Sequence, residues 1–159
     1  MNIASWLLWG FGATVVLTGV LAGSQGLGLT RMNIPYVLGT MITANRDRAK
    51  IYGVGLHLIN GFIFSFVYVC ALHLSGHFTW WFGALVGVVH ASFVYVAALP
   101  VLPGIHPRMA SEARGPDVVR QLEPPGFLGR NYGARTPLSG LFAHIVFGAI
   151  IGAFYSPLG

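Results

Sequence analysis

Two apolar stretches carry small residues, a histidine and a tyrosine at the same spacing. Gly53, His57, Gly61, Ser65 and Tyr68 stand 4, 4, 4 and 3 apart, and Gly140, His144, Gly148, Gly152 and Tyr155 repeat that spacing 87 residues later. Aligned without a gap, residues 53–68 and 140–155 share Gly, His, Gly, Ile and Tyr at 5 of 16 positions. Spacings of three and four put residues on one helical face. Each stretch therefore predicts a helix with a histidine set between glycines. A neutral imidazole offers one N–H and one lone pair, and in an apolar segment both want partners. Histidines on facing helices of a bundle would serve as axial ligands of a haem b, or each would hold a chlorophyll-type pigment, with the glycines at i−4 and i+4 making room for the macrocycle. His57 and His144 are the candidate ligands. His90 is a weaker third, and a metal held by all three is disfavoured by its different depth. The plainer reading is two neutral histidines hydrogen-bonded across helix interfaces, to Asn60 or a carbonyl, with the glycines serving close approach.

The elements that must position these residues follow from charge. Of 159 residues, 55% are hydrophobic and 8% charged, against about 25% charged in a soluble domain. The nine Lys and Arg and four Asp and Glu all fall between Arg31 and Lys50 or between Arg108 and Arg135. A bilayer-spanning helix needs about 20 apolar residues, and the charge-free stretches supply four, at about 5–29, 51–74, 78–102 and 137–155. The expectation is an all-α membrane four-helix bundle, one transmembrane domain over residues 1–159. With four spans, the loops 30–50 and 103–136 lie on one side, and their Lys and Arg make that side cytoplasmic. Both termini then face outward. A cleaved signal peptide is not expected, because nothing before Arg31 is charged.

Gly12, Gly19, Gly23 and Gly26 form a small-residue seam on the first span, and Ala84, Gly87 and Ala91 a shorter one on the third. Gly53, Gly61, Gly140, Gly148 and Gly152 are expected at helix contacts too. Phe11-Gly12-Ala13 parallels Phe82-Gly83-Ala84, and Arg31-Met32 parallels Arg108-Met109. Together with the histidine repeat, this suggests a tandem duplication of a two-helix hairpin. The apolar segment Ile34–Ile42 is too short to span and is expected to lie at the interface or cap the bundle. The second loop is rich in Pro and Gly, with a helical turn or two expected at Asp117–Leu122. Trp6, Trp9, Trp80 and Trp81 suit an interfacial belt, and His73 and His77 are read as interfacial polar groups.

Absences narrow the function. No span holds an Asp, Glu, Lys or Arg, which coupled carriers usually place at mid-depth. Hydrolase, zinc-protease and phosphate-loop motifs are missing, and the single cysteine, Cys70, permits no intrachain disulfide. Basic residues are not interleaved with stacking aromatics, so nucleic acid is not an expected partner. Arg31 to Thr40 (Arg-Met-Asn-Ile-Pro-Tyr-Val-Leu-Gly-Thr), the Gly53-x3-His57-x3-Gly61 element, His106-Pro107-Arg108-Met109 and the His144 helix resemble a group of small bacterial four-span membrane proteins, a family of unknown function. That resemblance implies four helices in a bacterial membrane, and it assigns neither an activity nor site residues. The expected role is a non-catalytic accessory or structural subunit of a larger respiratory or photosynthetic assembly. Its partners are then the bilayer and other membrane subunits, or further copies of itself. A haem or pigment protein using His57 and His144 is the alternative, and a small-solute channel or carrier the third.

Overall fold

The computed structural model describes residues 1–158. Helix α1 is Ile3–Gly26, α2 Ile34–Ile42, α3 Arg46–Ser75, α4 Trp80–Phe93, α5 Leu99–Ile105 and α6 Thr136–Phe154. Among the described residues there is no strand. Four helical stretches, 3–26, 46–75, 80–105 and 136–154, are long and apolar enough to cross a membrane. This is the all-α bundle expected of a multi-pass membrane protein.

Local chemistry sets the ends. Three helices start on an asparagine cap: Asn2 Oδ1 accepts from Ser5 N at 3.0 Å, Asn33 Oδ1 from Tyr36 N at 2.9 Å and Asn45 Oδ1 from Arg48 N at 2.9 Å. The Asn45 cap starts α3 at Arg46, five residues before the charge-free stretch begins. At the other end of α3, Gly76 takes φ +72° and its N–H returns to Leu72 O at 2.9 Å. Between α4 and α5 the helix widens into a π turn, Val94–Ala98, in which Leu99 N–H reaches Val94 O. Pro100 follows it. Proline has no N–H for Val96 O and its ring crowds that carbonyl, and a wider turn relieves both faults.

The chain divides into two compact units. The first comprises Met1–Gly23, Leu58–Ala91 and the chain from Gly140 onward. Its core is Leu17, Tyr68, Val69, Leu72, Phe147, Ile151 and Tyr155, drawn from α1, α3 and α6, with Phe82 and Val86 of α4 packed against it. In lipid such packing is held by contact and shape rather than by expulsion of water. Glycines make the approaches. A methyl carbon at Gly61 of α3 would lie 3.0 Å from Thr14 Cβ of α1, and one at Gly148 of α6 2.8 Å from the Gly83 carbonyl carbon of α4. Gly87 and Gly152 are equally tight, against the His144 and Thr79 backbones. The expected seam on α1 behaves differently. At Gly12, Gly19, Gly23 and Gly26 a methyl group would meet nothing within 4 Å, because α1 turns Ala13, Thr14 and Leu17 inward instead. Gly12 and Gly83 are therefore not structural counterparts. Trp6 and Trp9 are also more than belt residues: Trp6 stacks on Phe62 at 4.7 Å and donates to Ser65 Oγ at 2.9 Å, and Trp9 stacks on Phe154 at 4.6 Å.

The second unit comprises Ser24–His57 and Ser92–Ser139. Here α2 lies against the start of α3, where Gly39 meets the Ala49 backbone and Gly53 meets that of Pro35. Met32, Tyr95 and Leu99 form its core, flanked by Val94, Leu128 and Tyr132. The second loop is irregular but ordered. Asp117–Leu122 is not helical: Asp117 Oδ1 accepts from Val119 N and Arg120 N, which closes a side-chain turn instead. The helical turn lies later, at Phe127–Tyr132.

Candidate functional site

His90 and His144 are the two histidines that the first unit brings together. Their ring centroids are 4.6 Å apart and the planes cross at 85°. His144 sits on α6 between Gly140 and Gly148, and its Nδ1 donates to Gly140 O at 2.7 Å. His90 sits on α4, with its Nδ1 3.0 Å from the Tyr68 hydroxyl of α3. Phe64 stacks on His90 at 4.1 Å, and Phe147 stands edge-on to Tyr68 at 5.0 Å. Three helices thus converge on Tyr68, His90 and His144. Nearby groups are aromatic or glycine backbone.

His57 belongs to the second unit, is 7% exposed and is engaged within the chain. The glycines around the two repeated histidines do not hold space for a macrocycle. Gly53 is closed by Pro35, Gly61 by Thr14, and Gly148 by Gly83 and Tyr68 Cε1. A porphyrin wedged against those glycines does not fit this packing. Nor do three His, Cys, Asp or Glu side chains converge as a metal site among the described residues.

In the sequence the tyrosines of the repeat are only part of the pattern, yet each meets a histidine. Tyr68 meets His90, and the Tyr155 hydroxyl lies 2.8 Å from His73 Nε2 while accepting from Asn2 N at 3.1 Å. The signal in the sequence is a phenol inside an apolar stretch: once buried, at 1% and 4% exposed, each hydroxyl must find a partner.

A second polar site joins α2 to the Arg-bearing second loop. His106 is 3% exposed. Its Nδ1 accepts from Arg108 N at 3.1 Å, so its Nε2 carries the hydrogen and donates to Val37 O at 3.0 Å, beside Thr40 Oγ1 at 3.3 Å. Arg108 then caps α2 through Thr40 O at 2.6 Å. Burial, opposed by the Val37 hydrogen bond and helped by the Arg108 charge, holds the His106 imidazole below its usual range. The two loops are laced together nearby. Arg31 N donates to Tyr132 O at 2.7 Å, and the Arg31 guanidinium to Asn131 O at 2.6 Å and to Glu123 at 3.2 Å. The Tyr132 hydroxyl donates to Glu123 O. Burial and the Glu123 charge push the Tyr132 phenol up to about 12, against the opposing pull of Arg31.

No protein-family model matches the chain, and neither a curated protein nor a solved structure matches it.

Proposed function

We propose that the protein is a non-catalytic subunit of a larger membrane assembly, respiratory or photosynthetic, in a bacterial inner membrane. The observation that carries this reading is the second loop. It is ordered by its own hydrogen bonds, yet it holds large apolar side chains outward, with Val118 89% and Phe127 75% exposed. Both lie outside the membrane-crossing helices. An ordered surface with uncovered apolar groups is the usual mark of a contact site. The internal polar groups fit the same reading, since His144 is tied to a backbone carbonyl and His106 to two partners. In this topology the Arg-bearing loops face the cytoplasm and both termini the outer side. The chain is two hairpins related by duplication, and support for that comes from Gly61 and Gly148, corresponding positions that each meet the first helix of their own hairpin. A second copy of the chain is the other partner this surface admits.

The test is mild solubilisation followed by cross-linking from Val118→Cys and Phe127→Cys in a Cys70→Ala background. Adducts with one or a few larger membrane proteins are expected. A chain that runs as a monomer, with no adduct from either position, overturns the reading. A visible spectrum of the same preparation decides the haem alternative: a Soret band lost in His144→Ala would replace the subunit reading with a cofactor one. Flux through liposomes holding the chain alone would do the same for a channel.

A further inference from the structure

The tautomers of the intramembrane histidines can be read from their partners. The Gly140 carbonyl can only accept, so His144 Nδ1 carries its ring hydrogen and Nε2 is a lone pair. Tyr68 is 1% exposed and His90 Nδ1 is its one recorded hydrogen-bond partner. If Nδ1 were the donor, the phenol hydrogen would be stranded in a buried site. The phenol therefore donates, and His90 Nε2 keeps its N–H. No span carries an Asp, Glu, Lys or Arg apart from Arg46, Asp47, Arg48 and Lys50 at the start of α3, so neither ring has a counter-ion that would hold a second proton. The result is one N–H donor and one lone pair on rings 4.6 Å apart, in a part of the chain where the solvent is hydrocarbon.

Neither Nε2 atom has a hydrogen-bond partner among the described residues. Nor is either sealed inside: Thr79 Oγ1 is the one described side-chain N or O atom that is both sealed and unpartnered. Each Nε2 thus keeps some accessible surface, although His144 as a whole is only 9% exposed. A hydroxyl is the smallest group that answers both at once, its oxygen accepting from His90 and its hydrogen going to His144. The surroundings are aromatic, with Phe64 stacked on His90 and Phe147 on the edge of Tyr68. Val89, beside His90 on α4, is 63% exposed to the lipid side.

We propose that the Nε2 atoms of His90 and His144 form a binding site for the hydroxyl of a lipid-soluble hydroquinone. Tyr68 is a positioning residue: its hydrogen bond fixes which nitrogen of His90 is the donor. The site stands apart from the subunit reading and does not depend on it. The oxidised quinone has a carbonyl to accept from His90 but no hydrogen for His144, so the site prefers the reduced form.

The experiment uses the full chain in phosphatidylcholine nanodiscs, with the unfolding temperature followed against decylubiquinol, decylubiquinone and decanol. Decylubiquinol is expected to give a saturable rise, with the quinone about three- to tenfold weaker, the worth of one hydrogen bond. His144→Phe should erase the difference between quinol and quinone, and Tyr68→Phe should shrink it. Because either variant may unfold, ¹⁵N-histidine spectra of the unchanged protein provide a second readout. The His144 Nε2 resonance should move from a lone-pair position toward a hydrogen-bonded one with quinol and stay put with quinone. Decanol matching the quinol would overturn the hydroquinone assignment in favour of any membrane hydroxyl. The site itself is overturned if no ligand gives a saturable rise and the resonance does not move.

Discussion

Replacing Gly148 with alanine tests the contact on which α4 and α6 depend. The added methyl carbon would lie 2.8 Å from both the Gly83 carbonyl carbon and Tyr68 Cε1. Comfortable carbon contacts need about 3.5–4.0 Å, so the shortfall is about 0.7–1.2 Å on two sides. Neither neighbour yields easily. Gly83 presents backbone, and Tyr68 is 1% exposed and hydrogen-bonded to His90. The helices must part, which also loosens the Gly87 and Gly152 contacts on the same seam. Overpacking of this kind costs about 1–3 kcal/mol, and the rigid backbone on one side puts Gly148→Ala near the top, at about 3 kcal/mol. Gly12→Ala is the matched control: nothing lies within 4 Å, and its effect should stay within about 0.5 kcal/mol. Gly83→Ala forces the same separation from the other side, so the double variant should cost less than the two singles together, by about 0.5–3 kcal/mol. Reversible unfolding in mixed micelles, titrated with denaturing detergent, measures all four. If Gly148→Ala is as silent as Gly12→Ala, or the two glycine substitutions on the seam simply add, the close approach is not what holds these helices.

Three further outcomes follow from the hydrogen bonds. The His106 ring is neutral when folded and held below its ordinary value of 6.5, while the unfolded ring takes a proton there. Its contribution is therefore complete above about pH 6.5 and is lost as pH falls toward the depressed folded value. Intrinsic-rate-corrected amide protection at residues 37–43 and 106–110 should fall between pH 7.5 and 5, and His106→Gln should lack that slope. Tyr155→Phe removes the partner of both His73 Nε2 and Asn2 N and should lower stability by about 1–2 kcal/mol in the same micelle titration; no change would mean those bonds are replaced without loss. The Arg31–Glu123 pair is exposed, at 70% and 45% of the two side chains, so Glu123→Gln should cost less than about 1 kcal/mol and less still in high salt. Arg31→Ala should cost more, because the guanidinium also holds Asn131 O, and equal costs would deny that second bond a role.

The four membrane-crossing helices were legible because charge avoidance is a one-dimensional signal: a run without Asp, Glu, Lys or Arg needs no knowledge of neighbours. Helix starts were less so. Asn45 and Arg46 lie among charged residues, and the cap extends α3 backward into them. The roles of the glycines divided. Gly61 and Gly148 sit at contacts, as their spacing suggested, but the seam on α1 does not, since spacing shows that small residues share a face and not which way that face points. His144 was marked by its repeat, whereas its neighbour His90 and the phenol of Tyr68 are joined by contacts between residues 22 or more apart. The order of the second loop was hidden for the same reason. Arg31 and Glu123 are 92 residues apart, and composition alone reads that loop as Pro- and Gly-rich coil.

The π turn at Val94–Ala98 means that this helix carries one residue more than a uniform α-helix over the same path would. Leu99 donates five residues back, to Val94, and so Val94 and Leu99 both reach the Met32–Tyr95 core, where uniform α geometry would set them about 140° apart. Length is therefore negotiable here in a way it is not elsewhere in the helix. A one-residue deletion within the turn would still leave a continuous helix. It would restore uniform α geometry over the same path, so everything downstream keeps its direction and His106 still arrives at Val37, whereas the same deletion elsewhere in the helix would rotate everything downstream by about 100°. The surplus residue is slack taken up within one turn, and the direction in which the chain leaves the helix does not depend on it.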